Sequence, residues 1–207
     1  MDREDETVRR QLKALPQLLS EEEQNRWQRC RRAEDRERFL LGRGVLRIVL
    51  GAWLQRHPAS LRFAAGPHGK PFLVEEPGGR LPPAPQFNVS HSGRFVLLGF
   101  HPDAAVGVDV ERVRADLHWP PIARRCLSRQ VQESITGLAA AEQPLAFHRH
   151  WCRLEAELKA RGVGFSGAAR SSDCVESRPD PGMVDLWDVA LPSGYVGAVA
   201  CLPPEDP

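Results

Sequence analysis

The chain lacks an excess of charge of one sign, and it lacks any long apolar run. Across 207 residues, 28 Lys and Arg residues stand against 27 Asp and Glu residues, a formal net charge of +1. A protein that holds long nucleic acid by bulk charge is strongly basic, so this balance argues against that class. No apolar stretch approaches the ~18 residues of a membrane-spanning helix. The sequence therefore predicts a globular protein without a membrane span.

Cysteine is also scarce and follows no known pattern. The five cysteines stand at positions 30, 126, 152, 174 and 201. Their number is odd and no two have C-x-x-C spacing, so we expect neither a disulfide framework nor a cysteine zinc site. The first six residues contain no apolar segment of the kind found in signal peptides. These features together predict a reduced, cytoplasmic setting.

The order of local patterns predicts two α+β halves of similar size, because helices and then strands occur twice. Ser20 and Glu23 form an S-x-x-E capping box that opens a helix near Glu21. A longer helix is expected over residues 34–55, and its glycines (Gly42, Gly44 and Gly51) indicate either close packing or backbone approach to a ligand. The other expected elements are strands at 95–100, 106–110, 185–190 and 195–202, with helices at 128–138 and 144–161.

Two acidic residues share one face of a predicted strand. Alternate side chains of a strand point the same way, so Val106, Val108 and Val110 turn to a core. Asp109 and Glu111 then point together to the other side. Neighbouring carboxylates repel unless a cation lies between them, and Mg²⁺ prefers such oxygen ligands. The pair indicates either a Mg²⁺ site or an exposed strand face with two solvated acids.

A later helix places Trp151, Glu155 and Lys159 at steps of four residues, and therefore on one face. Read in isolation, Glu155 and Lys159 form an ordinary surface pair.

Residues 87–93 are dense in small polar side chains, among them Asn88, Ser90 and His91. They suit either a phosphate or nucleotide edge, or a turn with capping serines. Basic residues that include Arg26 and Arg43 precede them, and Lys70 stands in a Gly-Lys-Pro turn. Interleaved acids make much of the basic cluster a solvated helix surface, although part of it suits a phosphate.

Taken in order, these pieces resemble the Sfp-type 4′-phosphopantetheinyl transferases. The matching segments are the Gly42-Arg43 helix, Gly69-Lys70-Pro71, Phe87 to Ser92, Val106 to Glu111, and Trp151 with Glu155 and Lys159. The similarity extends from about Ser20 to Gly164. Each motif alone is weakly specific, whereas five in this order are strongly specific. The resemblance implies an α+β fold of two pseudo-symmetric halves, 1–104 and 105–207, with the active site in the cleft between them.

The resemblance also implies a reaction. The phosphopantetheine of coenzyme A moves to a serine hydroxyl of an acyl, polyketide or peptidyl carrier protein, and 3′,5′-ADP leaves. By the same resemblance Asp109, Glu111 and Glu155 would hold Mg²⁺, Glu155 would act as the base, and Lys159 would favour the leaving group. Coenzyme A would be bound by basic and polar residues of the first half: Arg26, Lys70, Asn88, Ser90 and His91, with Arg43 serving either this site or its helix.

The sequence departs from the family at Leu154, where a lysine is usual, and at Glu157, where an aromatic residue is frequent. The alternative to an active enzyme is therefore a non-catalytic homologue that binds coenzyme A or a carrier protein. An arginine-rich nucleic-acid binder is disfavoured, because acids are interleaved with the arginines. We expect a monomer. Carrier proteins are acidic, so Arg124, Arg125 and Arg129, with Ile122 and Leu127, are candidate contacts for them.

Overall fold

The computed structural model describes residues 1–66, 69–74, 84–163 and 184–202. The chain divides into two compact units, Met1–Asp103 and Ala104–Pro207. Each unit combines helices with a small antiparallel sheet, which confirms the predicted α+β class. Within the described residues, no helix is both long and apolar enough to cross a membrane. Gly164 and Cys174, which the sequence analysis names, lie outside the described residues.

Among its described residues, the first unit contains three α-helices and two antiparallel pairs of strands. The helices are α1 (Glu6–Leu12), α2 (Glu21–Arg29) and α3 (Ala33–Trp53), and the strands are β1 (Phe63–Ala65), β2 (Pro71–Leu73), β3 (Gln86–Ser92) and β4 (Phe95–His101). Strand β1 pairs antiparallel with β2, and β3 pairs antiparallel with β4. Leucines of α3, with Leu12, Leu15 and Leu19 before it, pack on Val96 of β4 to form the core.

The capping box is present as predicted. The Ser20 side chain accepts a bond from the Glu23 backbone N–H, and the Glu23 carboxylate accepts one from Ser20 N–H at 3.0 Å.

Two glycines of α3 serve close packing. A Cβ atom at Gly44 would lie 2.9 Å from the Leu15 side chain, and one at Gly51 would lie 2.8 Å from Arg56 O, closer than such atoms approach. Gly42 differs, because a Cβ atom there would meet its nearest atom at 3.4 Å and the residue lines a cavity.

In the part of the second unit that the structure describes, there are a three-stranded sheet and three α-helices. Its elements are β5 (Ala105–Arg112), α4 (Pro120–Cys126), α5 (Arg129–Thr136), α6 (Gln143–Ala160), β6 (Asp185–Asp188) and β7 (Tyr195–Leu202). The described strands run in the order β5-β7-β6, and both pairings are antiparallel. The predicted strand over 185–190 ends two residues early. Ser128 caps α5 as predicted, and the helix ends at Thr136, two residues before the predicted end.

Helix α6 lies unusually close to the sheet. Its small residues Cys152, Ala156 and Ala160 pack on buried residues of β7. Position 107 of β5 faces the helix backbone, since a Cβ atom there would lie 2.0 Å from Ala156 O and 2.3 Å from Ala160 N. Because alternate residues share a face, Asp109 and Glu111 stand on this same helix-covered side of β5.

We expect Gly107→Ala to lower the free energy of unfolding by about 2 kcal/mol or more, because the added methyl must displace the α6 backbone. Urea denaturation measures the change. Gly137→Ala is the matched control, since a Cβ atom there would meet its nearest atom at 3.4 Å. If both variants unfold at the urea concentration of the wild type, this close contact between helix and strand is wrong.

His148 lies buried on α6, where it is 3% exposed. Its Nδ1 lies 2.6 Å from Pro144 O, and the Arg114 backbone N–H is 3.5 Å from its Nε2. A neutral imidazole with the proton on Nδ1 satisfies both contacts. Burial lowers the pKa of His148 from its ordinary value, although the bond to Pro144 opposes the change.

Because the folded state lowers this pKa, the unfolded chain takes up the proton first as pH falls. We therefore expect the stability contributed by neutral His148 to be present above pH ~6.5 and to decline below it. His148→Asn should reduce the slope of unfolding free energy against pH between pH 5 and 7, as followed by circular dichroism in urea. His118→Asn, at an exposed loop position, should keep the wild-type slope. Equal slopes in the two variants would contradict the assignment.

Candidate active site

Strand β5 and helix α6 bring together four of the residues singled out in the sequence. Asp109 and Glu111 come from the strand, and Glu155 and Lys159 come from the helix. The close approach at Gly107 brings the helix backbone onto the strand, so these side chains occupy one narrow region. The local reason is the small-residue stripe of α6, which lets the helix approach the sheet while its neighbouring face carries the charges.

The Lys159 ammonium bonds directly to the strand. Its Nζ lies 2.6 Å from Asp109 Oδ1 and donates to Val108 O at 3.3 Å. The Asp109 side chain is 4% exposed, whereas that of Lys159 is 28% exposed. The interpretation of two solvated acids on an exposed strand is therefore wrong for Asp109. Glu155 and Lys159 are also not an ordinary surface pair, because the Lys159 ammonium is bonded to a buried carboxylate of another element.

Glu155 is half-buried beside this pair. Burial raises its pKa above the ordinary value for a glutamate; the Lys159 ammonium opposes that rise, and the Asp109 carboxylate adds to it. Glu155 is thus within electrostatic range of both groups. Burial also raises the pKa of the Cys152 thiol, and the charges of Asp109 and Glu111 raise it further. Glu155 therefore interacts with Asp109 and Lys159 across the contact between β5 and α6, and Glu111 acts with Asp109 on the Cys152 thiol.

This donor set fits a hard divalent cation in type and charge. The carboxylates of Asp109, Glu111 and Glu155 offer oxygen ligands. Burial is the main cause of the raised pKa of Glu155, and a cation would relieve the smaller contribution that repulsion from Asp109 adds. Across the described ranges, however, no three His, Cys, Asp or Glu side chains are gathered into a ready-made metal cluster. The ammonium of Lys159 supplies the positive charge beside Asp109 in this arrangement.

The side chain of Leu154, which departs from the family pattern, packs with Trp151 against an apolar cluster that includes Trp119, Ile135 and Phe147. The ring of Trp151 stacks on Phe147, with centroids 6.1 Å apart. Both residues therefore belong to the core formed by the three helices of this unit. Trp151 shares its helix face with Glu155 by spacing, but its ring serves packing.

In the first unit, the structure brings together Arg26, Arg43 and His91. They line a cavity of about 220 Å³ with Arg38, Gly69 and Pro71. Arg26 and Arg43 also line a neighbouring groove of about 660 Å³. Guanidinium and imidazole donors at one cavity make a site suited to an anion, and phosphate is the natural ligand class for such a set.

The other three candidates of this unit are placed differently. Lys70 stands between two residues that line the cavity, and burial lowers its pKa. Asn88 and Ser90 are buried on β3, whereas His91 is exposed. Because side chains alternate along a strand, the face of Asn88 and Ser90 is opposite to that of His91. The expected cradle of residues 87–93 is therefore divided between two faces of β3.

One residue of this region was missed as a functional candidate. Glu23 is buried and forms ion pairs with Arg43, at 3.1 Å, and with Arg47, at 2.7 Å. Its capping role was visible in the S-x-x-E motif, but the second role depends on how α2 packs against α3. Arg43 and Arg47 stand four residues apart on α3, and therefore on one face of the helix. This spacing was the feature of the sequence that could have indicated a shared acidic partner.

We expect Lys159→Met to lower the free energy of unfolding by about 3 kcal/mol, because it leaves the buried Asp109 carboxylate without its ammonium. Urea denaturation in metal-free buffer measures the loss. Lys13→Met, the same change at an exposed lysine, is the control. Equal losses in the two variants would show that the pair contributes no stability.

Two family sequence models match this chain. The one described as 4′-phosphopantetheinyl transferase, N-terminal, matches residues 5–103, and the one described as the 4′-phosphopantetheinyl transferase superfamily matches residues 105–191. Their boundary falls where the two compact units meet along the chain.

Curated proteins with related sequences carry the same description. A putative 4′-phosphopantetheinyl transferase of Synechocystis is 38% identical over 72% of this chain and 59% of its own length, and HetI of Nostoc is 33% identical over 75% and 65%. The match therefore spans less than two thirds of these two relatives. Sfp of Bacillus subtilis is 30% identical over 72% of this chain and 67% of its own length. With both units matched, the chain belongs to the 4′-phosphopantetheinyl transferase superfamily.

Proposed function

We propose that this protein transfers the 4′-phosphopantetheine group of coenzyme A to a serine hydroxyl of a carrier protein, with Mg²⁺. The observation that carries the proposal is the group formed by Asp109, Glu155 and Lys159 at the contact between β5 and α6. In the reaction, a bond forms between the serine oxygen and the phosphorus that bears pantetheine. The bond from that phosphorus to the bridging oxygen breaks, and 3′,5′-ADP leaves with its electron pair.

Asp109 and Glu111 of β5 and Glu155 of α6 would hold the magnesium ion. When bound, it neutralises charge on the pyrophosphate of coenzyme A as the transition state forms. The buried position of Asp109 keeps water away from its carboxylate, which strengthens its attraction for any cation that it meets. Its present partner, the Lys159 ammonium, would turn toward the phosphates through a flexible side chain that is 28% exposed.

Glu155 is the proposed proton acceptor for the incoming serine. Burial raises its pKa, and a carboxylate with a raised pKa takes a proton more readily near neutral pH. The proton passes from the serine hydroxyl to a Glu155 carboxylate oxygen, directly or through one water. Lys159 stands one turn further along the same helix, where its ammonium stabilises the negative charge that develops on the departing 3′,5′-ADP.

Coenzyme A is the proposed ligand of the first unit. The guanidinium groups of Arg26 and Arg43 and the His91 imidazole at the 220 Å³ cavity support a phosphate contact there. Lys70, Asn88 and Ser90 complete the proposed set, with Lys70 beside that cavity and the other two on the opposite face of β3. Removing Lys70 should weaken coenzyme A binding, and excess coenzyme A should restore the rate.

The proposed partner is an acyl, polyketide or peptidyl carrier protein. Arg124, Arg125 and Arg129 are exposed at α4 and α5, where they suit an acidic partner. Leu127, the apolar candidate beside them, is 1% exposed and packs in the core, so its proposed contact is wrong. A monomer in the cytoplasm stays a prediction.

Mixing the protein with coenzyme A, Mg²⁺ and an apo carrier protein should add one phosphopantetheine to the carrier, as measured by mass spectrometry. Chelation of the metal, or Asp109→Asn, should abolish the transfer. Asp116→Asn, at an exposed loop acid, is the matched control and should keep wild-type transfer. A second measurement needs no turnover: Mg²⁺ should raise the melting temperature of the wild type and leave that of Asp109→Asn unchanged.

The same experiment separates the alternative function, a non-catalytic homologue that binds coenzyme A or a carrier protein. Leu154 motivates it, since an apolar residue stands where a cation is usual. The alternative would be supported if coenzyme A binds in calorimetry but carriers of fatty-acid, polyketide and peptide synthesis all stay unmodified. That result would overturn the proposed transferase activity. Full activity of Asp109→Asn would overturn the metal site.

A further inference from the structure

The buried carboxylate of Glu23 connects two helices of the first unit. Glu23 is the third residue of α2 and is 9% exposed. Its Oε2 accepts the Ser20 backbone N–H at 3.0 Å and the Arg47 Nε–H at 2.7 Å. Its Oε1 lies 3.1 Å from the Nε of Arg43. One side chain therefore ties the start of α2 to two successive turns of α3.

The two arginines bound by Glu23 differ in what else they touch. Arg47 is 1% exposed and also donates from Nη1 to Pro58 O at 2.8 Å and to Leu61 O at 3.0 Å. Its donors are used inside the protein, so Arg47 is structural.

Arg43 forms an ion pair with Glu23 through Nε and lines both the 220 Å³ cavity and the 660 Å³ groove. Its Nη1 is buried and has no hydrogen-bond partner among the described residues.

The guanidinium of Arg43 is held from two sides. Its carbon lies 4.9 Å from the centre of the Phe63 ring, and Glu23 binds its Nε edge. A planar guanidinium has five N–H donors, so fixing one edge leaves the Nη donors for an acceptor that binds at the cavity. The side chain as a whole is 16% exposed, although its Nη1 atom is buried.

Charge at this position favours an anion. Burial lowers the pKa of Arg43, Glu23 opposes that effect, and the nearby cations of Arg47 and Arg26 reinforce it. Arg26, Arg38 and Arg43 line the 220 Å³ cavity, and its described lining includes no carboxylate, so positive charge is in excess at the cavity wall. A phosphate oxygen would relieve that repulsion and bond to the donors that Glu23 leaves unused.

We propose that Glu23 is a positioning residue for substrate: it fixes the Nε edge of Arg43 so that the Nη donors bind a phosphate of coenzyme A. This inference rests on the proposed function, since coenzyme A is the ligand. Glu23 does not touch the ligand in this scheme and acts through Arg43. Glu23 and Arg43 therefore contribute to the affinity for coenzyme A together, and their effects are not additive.

A double-mutant cycle measured by calorimetry with coenzyme A tests the proposal. Glu23→Gln and Arg43→Gln should each raise the dissociation constant about tenfold, or ~1.4 kcal/mol. The double variant should bind no more weakly than Arg43→Gln alone, because Glu23 acts through Arg43. At saturating coenzyme A, kcat should change less than about twofold, so the effect appears in KM. Glu34→Gln, at an exposed acid in the first turn of α3, is the matched control.

Two results would overturn the positioning role. One is wild-type affinity for coenzyme A in Glu23→Gln. The other is a further tenfold loss of affinity when Glu23→Gln is added to Arg43→Gln, because a merely structural carboxylate acts whether or not Arg43 is present. If Glu23→Gln does not fold, Arg43→Lys decides: a lysine keeps the charge but cannot bond to Glu23 and present a planar second edge. Wild-type affinity in Arg43→Lys would then overturn the proposal. A wild type that binds no coenzyme A would overturn the proposed function itself, whereas binding with an additive cycle removes only the role of Glu23.

Discussion

Contact between the α6 backbone and strand β5 is the constraint on which the second unit depends. A strand normally keeps a helix away through its side chains, and here a glycine at position 107 removes that spacing. The helix consequently contributes Lys159 directly to a carboxylate of the strand. Packing therefore determines which charged groups come together: Lys159 reaches Asp109 because alanines and a glycine allow the helix and the strand to touch.

Each unit contains a buried carboxylate that cations compensate, and the two units use different cations. A carboxylate taken out of water is unfavourable unless cations compensate it. In the second unit, the buried Asp109 is compensated by the ammonium of Lys159, whose side chain is 28% exposed. In the first unit, the buried Glu23 is compensated by two arginines, one of which also donates to two backbone carbonyls. A flexible ammonium suits a site where charge is rearranged, whereas a fixed guanidinium suits a site where a ligand is held.

Features encoded locally were predictable from the sequence. The capping box at Ser20 and Glu23, the alternation along β5 and the spacing of Glu155 and Lys159 each depend on neighbours within a few residues, and the structure contains all three. The hairpin β1–β2 was not predicted, because three-residue strands are too short to show a period. The cover of α6 over Asp109 and the second role of Glu23 depend on contacts between distant segments, which a pattern along one segment does not encode.

Leu154 shows how closely packing and chemistry share one helix. Its side chain belongs to the apolar cluster around Phe147, one position from Glu155. Restoring a lysine there would carry a long aliphatic stem along that cluster and require its ammonium to reach water past Trp151. The residue at this position is therefore tied to the composition of the surrounding core. The neighbour of Glu155 can change its chemical character only together with the apolar residues that receive its side chain.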